Sequence, residues 1–285
     1  HLFKPMGITY VPSSNNLLVS STESDDILRI PLVPSSEGKH TPTRVYYSFI
    51  SPISMVFDET AQCLWTLDMT RGDIIKTDPN NPIASMPIKT ADGYKFNQPR
   101  SIALNEMTST FYVGEQGRIS TVASNLPLTA EAIVTPLFHS FGAPVQTVVD
   151  EVGHNGFIYV LDSMPIIHNA YIVQMPLVNP AGTWSVLDTG SYHWLEPCSF
   201  TIDLNNQIMY VADYGHSSIV RVPLSNPAET RRLPSGHFHW GQLKSILWDY
   251  YHQRLLVTTS AETSCILSYD PLNPTQPPSC PSYLQ

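Results

Sequence analysis

The chain has 285 residues and a formal net charge of −9, with 14% charged residues against 42% hydrophobic ones. The negative balance excludes a nucleic-acid binder, which needs clustered Lys and Arg to neutralise phosphates. The hydrophobic fraction excludes a disordered chain, and no uninterrupted apolar run reaches the roughly 18 residues of a membrane span.

Read from its start, the chain opens on Leu2-x-x-Pro5-x-Gly7-Ile8: a large hydrophobe, two residues, Pro, one residue, Gly or Ser, then an apolar residue. The pattern returns as Phe49-x-x-Pro52-x-Ser54-Met55 and Phe96-x-x-Pro99-x-Ser101-Ile102. A degenerate copy follows, Phe141-x-x-Pro144-x-Gln146-Thr147, then Trp194-x-x-Pro197-x-Ser199-Phe200 and Trp240-x-x-Leu243-x-Ser245-Ile246. The six copies are separated by 47, 47, 45, 53 and 46 residues. Each is followed by a short β-branched or aromatic run, such as Leu17-Leu18-Val19, Phe111-Tyr112-Val113 or Met209-Tyr210-Val211, which is strand chemistry. A third run, such as Ile27-Leu28-Arg29-Ile30, alternates like a half-exposed strand, and a more polar fourth, such as Arg44-Val45-Tyr46-Tyr47, leads into the next copy. No segment of ten residues has a helical period with caps.

Four short antiparallel strands repeated six times predict an all-β, six-bladed β-propeller. It occupies residues 1–285 as one domain, with blades starting near residues 5, 52, 99, 144, 197 and 243. One blade cannot cover both its faces, so the ring has to close. The first residues, 1–4, and the tail from Asp270 are expected to complete blade six; with five prolines the tail supplies only an edge strand. The large hydrophobes that open the motif, Trp194 and Trp240 among them, are expected to pack between blades. No Cys-x-x-Cys pair exists, so thioredoxin-like or zinc chemistry is not expected. A Cys265–Cys280 bridge is expected from their spacing, with Cys63 and Cys198 unpaired.

The segment Ile208-Met209-Tyr210-Val211-Ala212-Asp213-Tyr214-Gly215-His216-Ser217-Ser218-Ile219 resembles an NHL repeat, and Leu64-Trp65-Thr66-Leu67-Asp68 resembles the related YWTD pattern. The resemblance covers the whole chain as blade rhythm, but blades one and six carry Ser21 and Thr259 in place of the Asp. It implies a superfamily of propellers and no particular activity. Related gluconolactonase-type propellers hold a metal through a Glu that opens the first blade as Glu-Gly-Pro. Here Lys4-Pro5-Met6-Gly7 stands there, and Pro99-Arg100-Ser101 and Pro197-Cys198-Ser199 replace the Pro-Asn-Gly signature. Neither a metal nor another cofactor is therefore expected.

Asp68, Glu115, Asp162 and Asp213 share one repeat position, and Asp58, Asp150, Asp203 and Asp249 another. Their repetition favours structural acceptors of turn N–H groups over a metal ring. Arg71-Gly72-Asp73 is read as turn chemistry rather than an adhesion motif, and the metal-pair spacing of His237 and His239 as incidental. On the face formed by the loops entering first strands and joining second to third strands, Ser51, Gln98, Arg100, Glu196, Gln242 and Lys244 should stand near the channel. Blades four to six add Met164, Ile166, His168, Tyr192, His193, Tyr214, His216, His237 and His239. Arg100, Tyr192, His193, Glu196, Tyr214, His216, His237, His239 and Lys244 are the candidate ligand-binding residues. Two functions stay open. One is a non-catalytic propeller binding a protein, peptide or small ligand. The other is a lactonase- or esterase-like hydrolase, with Glu196 as general base among basic neighbours. Secretion or an extracytoplasmic location is the favoured compartment.

Overall fold

The computed structural model describes residues 4–32, 42–45, 49–78, 80–126, 130–137, 141–151, 156–164, 169–234, 240–260, 265–273 and 278. Six antiparallel sheets follow one another along the chain, five of four strands and one of three among the described residues. The innermost strands run Pro5–Val11, Pro52–Asp58, Ser101–Asn105, Pro144–Asp150, Pro197–Asp203 and Leu243–Asp249. The second strands are Asn16–Ser21, Cys63–Asp68, Thr110–Glu115, Phe157–Met164, Ile208–Asp213 and Arg254–Thr259. The outer strand is long in blade two, Asn81–Pro87, and short in blades three to five, Thr135–Pro136, Ser185–Val186 and Arg231–Arg232, which limits the unpaired edge those three present. The chain is thus an all-β, six-bladed propeller. Blade four holds the longest hairpin, Phe157–Met164 against Asn169–Pro176, which accounts for the 53-residue interval.

The second strands explain why the sequence reads as unbroken apolar runs. In a strand, successive side chains face opposite ways, and in a propeller both faces meet a neighbouring blade. Leu17 and Val19 pack against Leu256 and Ile266 of blade six, while Leu18 packs towards Phe57 and Leu64 of blade two. Trp65 and Leu67 face blade three, Tyr159 and Leu161 blade five, and Tyr210 and Ala212 blade six. Tyr112 of blade three meets Ile158 and Val160 of blade four. Each inter-blade interface has its own hydrophobic cluster, and the one joining blades six and one closes the ring. Phe49, Phe96, Phe141, Trp194 and Trp240 are buried in five of these clusters, as their motif position predicts.

Serines of the motif stitch neighbouring blades together. The Ile102 N–H donates to Ser54 Oγ and the Ile246 N–H to Ser199 Oγ, each at 3.2 Å, and Ser101 Oγ lies 2.9 Å from Thr147 Oγ1. Blade one has Gly7 at this position because a Cβ would stand 2.8 Å from the Ile53 carbonyl oxygen of blade two.

Cys63, Cys198 and Cys265 are free thiols. This corrects the expected bridge from Cys265, which instead sits buried beside Thr259 Oγ1 at 3.7 Å; Cys280 lies outside the described residues. So do residues 1–3 and most of the chain after 273, where blade six's outer strand was expected. No helix is long and apolar enough to cross a membrane among the described residues.

Burial pushes the phenols of Tyr159, Tyr210 and Tyr269, packed between blades, and of half-buried Tyr192 from 10 up to about 12. Unfolding lets them ionise near 10, so above that pH the unfolded chain binds fewer protons than the folded one. Stability is then unaffected by these groups below pH 10 and falls as pH rises from 10 to 12. Urea midpoints measured across this window should drop steeply, and a flat profile would contradict the burial.

Candidate functional site

At the start of the innermost strands the pairing with the second strand slips, at Pro5/Ile8, Pro52/Ser54, Pro144/Gln146, Pro197/Ser199 and Leu243/Ser245. Each slip is a bulge in the Pro-x-Gly/Ser motif, and a bulge re-aims a side chain. In blade three the equivalent residue, Arg100, precedes the strand and donates its N–H to the Gly114 carbonyl at 2.7 Å. The six middle residues, Met6, Ile53, Arg100, Val145, Cys198 and Lys244, all line one cavity of about 560 Å³ at the mouth of the central channel. Thr22, Met69 and Tyr214, each just past a second strand, line it as well, together with Ser163 near the end of its second strand and Glu196.

Buried carboxylates at the ends of second strands hold this mouth in place. Asp68 accepts the Ile50 N–H at 2.7 Å, Glu115 the Asn97 N–H at 2.8 Å, Asp162 the Gly142 and Ala143 N–H groups at 2.9 and 2.6 Å, and Asp213 the Glu196 N–H at 3.0 Å. The expectation of turn-capping is corrected here. Among the described residues only Asp68 accepts a backbone N–H of its own turn, at Arg71; what all four share is the chain entering the first strand of the blade. Glu115 also binds the Tyr94 hydroxyl, Arg118 and Ser120. The carboxylates after the first strands do cap turns, at the opposite end: Asp58 accepts the Ala61 N–H and Asp203 the Asn206 N–H. Arg71-Gly72-Asp73 is also turn chemistry, with Gly72 at φ +64° and Asp73 paired to Lys95 at 2.5 Å.

The candidate residues divide into two groups. Arg100, Glu196, Tyr214 and Lys244 line the cavity together. Lys244 Nζ lies 4.9 Å from the centre of the Tyr214 ring, within cation–π range. Among the described residues, Arg100, Glu196 and Lys244 form no ion pair. Ser51 lines the mouth too, whereas Gln98 and Gln242 are exposed outside it. Tyr192 and His216 belong instead to Asp213: the Tyr192 hydroxyl donates to its Oδ2 at 2.9 Å, and His216 Nδ1 sits 2.8 Å from the same oxygen. Tyr192 packs edge-on against Trp194 at 4.6 Å. His193 is exposed. Ile166, His168, His237 and His239 lie outside the described residues. Among those described, no cluster of His, Cys, Asp and Glu could hold a metal ion.

Sequence reasoning missed Met6, Ile53, Val145 and Cys198. The signal was present in the invariant spacing of the motif, whose middle residue has a fixed direction whatever its identity. Cys198 Sγ is shared between the Ala212 and Leu243 carbonyl oxygens at 3.5 Å each. Burial pushes its thiol up to about 12, against the opposing pull of Lys244.

No protein-family model and no curated protein matches this chain. Solved structures do. A chain in the crystal structure of a nidogen/laminin complex superposes with a TM-score of 0.71 at 16% identity, covering 90% of this chain and 89% of that one. A protein of unknown function from Bacteroides thetaiotaomicron gives 0.70 at 13%, over 94% and 70% of the two chains. Kuenenia stuttgartiensis hydrazine synthase gives 0.64 at 14%, over 94% and 77%. At such identities the likeness is one of fold.

Two outcomes follow from this geometry. Asp213→Ala strands the Glu196 N–H and the Tyr192 hydroxyl and should cost about 3 kcal/mol in urea denaturation, while Glu196→Ala stays within about 0.5 kcal/mol. Cys198 should resist iodoacetamide at pH 8 despite lining the cavity, because burial holds its thiol protonated; alkylation should become rapid once urea unfolds the chain.

Proposed function

We propose that this propeller is a non-catalytic binding module that takes a small ligand, or a side chain of a protein or peptide partner, into the mouth of its central channel. The observation that carries this reading is the convergence of the same motif residue from all six blades on one cavity of about 560 Å³. That volume is in the range of small-molecule sites, which are mostly apolar with a few polar groups. Met6, Ile53, Met55, Met69, Val145 and Leu243 supply apolar wall, and Arg100, Lys244 and Glu196 supply charge. A chain of like fold assembling in a nidogen/laminin complex supports recognition as a use of this architecture.

The hydrolase reading has Glu196, the carboxylate that lines the cavity, as its general base. There Glu196 would activate a water, and the Cys198 thiol, held protonated by burial, is not itself an activated nucleophile. Activity against lactones and aryl esters that disappears in Glu196→Gln would make the protein an enzyme.

The binding reading is tested with Nile red, a neutral apolar dye. The protein should enhance its fluorescence saturably. Met6→Trp, which fills the cavity from a half-buried position outside the inter-blade clusters, should weaken dye binding at least tenfold with Tm unchanged. Unaltered dye binding in that variant would remove the mouth as the site.

A further inference from the structure

The identities of the six middle residues form a pattern around the ring. In blade order they are Met6, Ile53, Arg100, Val145, Cys198 and Lys244: two apolar, one cation, two apolar, one cation. Blades three and six face each other across a six-membered ring, so the two cations stand on opposite walls with apolar flanks between them. Neither is neutralised by a carboxylate within ion-pair distance among the described residues. Lys244 lies half-buried against an aromatic ring, where a cation is less well screened than in bulk water. Arg100 offers the planar fork that matches a carboxylate. The ring is therefore chemically two-ended, although the blades around it are six.

Resting on the reading of the mouth as a binding site, we infer that its ligand is a dicarboxylic acid: a molecule with an anionic group at each end and an apolar body between. One carboxylate pairs with Arg100 and the other with Lys244, while the body lies between Met6 and Ile53 on one side and Val145 and Cys198 on the other. Glu196 is the opposing charge. It sits outside the ring of middle residues, one position before Pro197, and leaves the formal charge of the mouth at +2 − 1 = +1. It disfavours the dianion, so its removal should tighten binding. That sign separates this role from a general base.

The experiment is calorimetric titration of the whole chain with aliphatic α,ω-dicarboxylates of increasing length, the matching monocarboxylates and the matching diamides. Dicarboxylates should bind saturably with an optimum length and displace Nile red. Monocarboxylates and diamides should bind at least tenfold more weakly. Arg100→Gln and Lys244→Gln should each lower dicarboxylate affinity at least tenfold without changing Tm, and Glu196→Gln should raise it. Equal binding of mono- and dicarboxylates, or indifference to Arg100→Gln, would overturn the two-ended ligand while leaving the mouth as a binding site. Failure of every dicarboxylate to displace bound Nile red would overturn it as well. Absence of Nile red binding would bring down the binding reading itself.

Discussion

The arrangement at the channel mouth depends on a short contact between a buried carboxylate and backbone N–H groups that are not its neighbours in sequence. Asp68, Glu115, Asp162 and Asp213 each reach back some 17 to 20 residues to the chain that enters their own blade. The crossover from one blade to the next would otherwise leave those N–H groups unpaired beside a dry core, which is expensive. Once the entering chain is tied, the motif that follows is held at one height in the ring. A backbone bond of the Thr22-to-Lys4 and Ser260-to-Gln242 kind ties the end of the second strand to the entering chain in all six blades, and the carboxylate adds to it in four; blades one and six lack the carboxylate and add hydroxyl contacts from Thr22 and Ser260 instead.

The second constraint is burial on both faces. A blade is a sheet with no solvent side at its second strand, so each such strand divides its residues between two interfaces. This explains why Leu17, Leu18 and Val19 are all fully buried though adjacent. It also explains why large aromatics recur at the opening of the motif: the chain crosses an interface there, and Phe49, Phe96, Phe141, Trp194 and Trp240 fill it.

The architecture was legible because this burial imposes a rhythm on the chain, and the rhythm survives even where single residues degenerate, as in Phe141-x-x-Pro144-x-Gln146. The mouth was legible in part. Arg100, Glu196, Tyr214 and Lys244 stand out as polar or aromatic residues at loop positions, and they do converge. Met6, Ile53, Val145 and Cys198 read as filler, since nothing local distinguishes a side chain aimed into a channel from one aimed at a neighbouring blade. One histidine, His216, is turned away from the mouth for an electrostatic reason. His216 follows Asp213 by three residues, and its ring is drawn to that carboxylate, just as His252 is drawn to Asp249 at 2.8 Å in another blade. Two tight turns of the form Asp-x-x-His make the same local pair, a regularity visible in the sequence once the turn is recognised.

The bulge that turns the middle residue of the motif towards the channel also separates two kinds of selection. The residues on either side of it, the proline and the serine, are committed to the pairing of strands and to the stitching of one blade to the next. The middle residue answers to the cavity. Ile53, Val145 and Cys198 also pack in the inter-blade clusters, whereas Met6, Arg100 and Lys244 stand outside them, so substitutions at these three act on the cavity and leave the interfaces that keep the ring closed intact. A propeller built this way behaves as a fixed wheel whose hub can be re-lettered at blades one, three and six without touching the spokes.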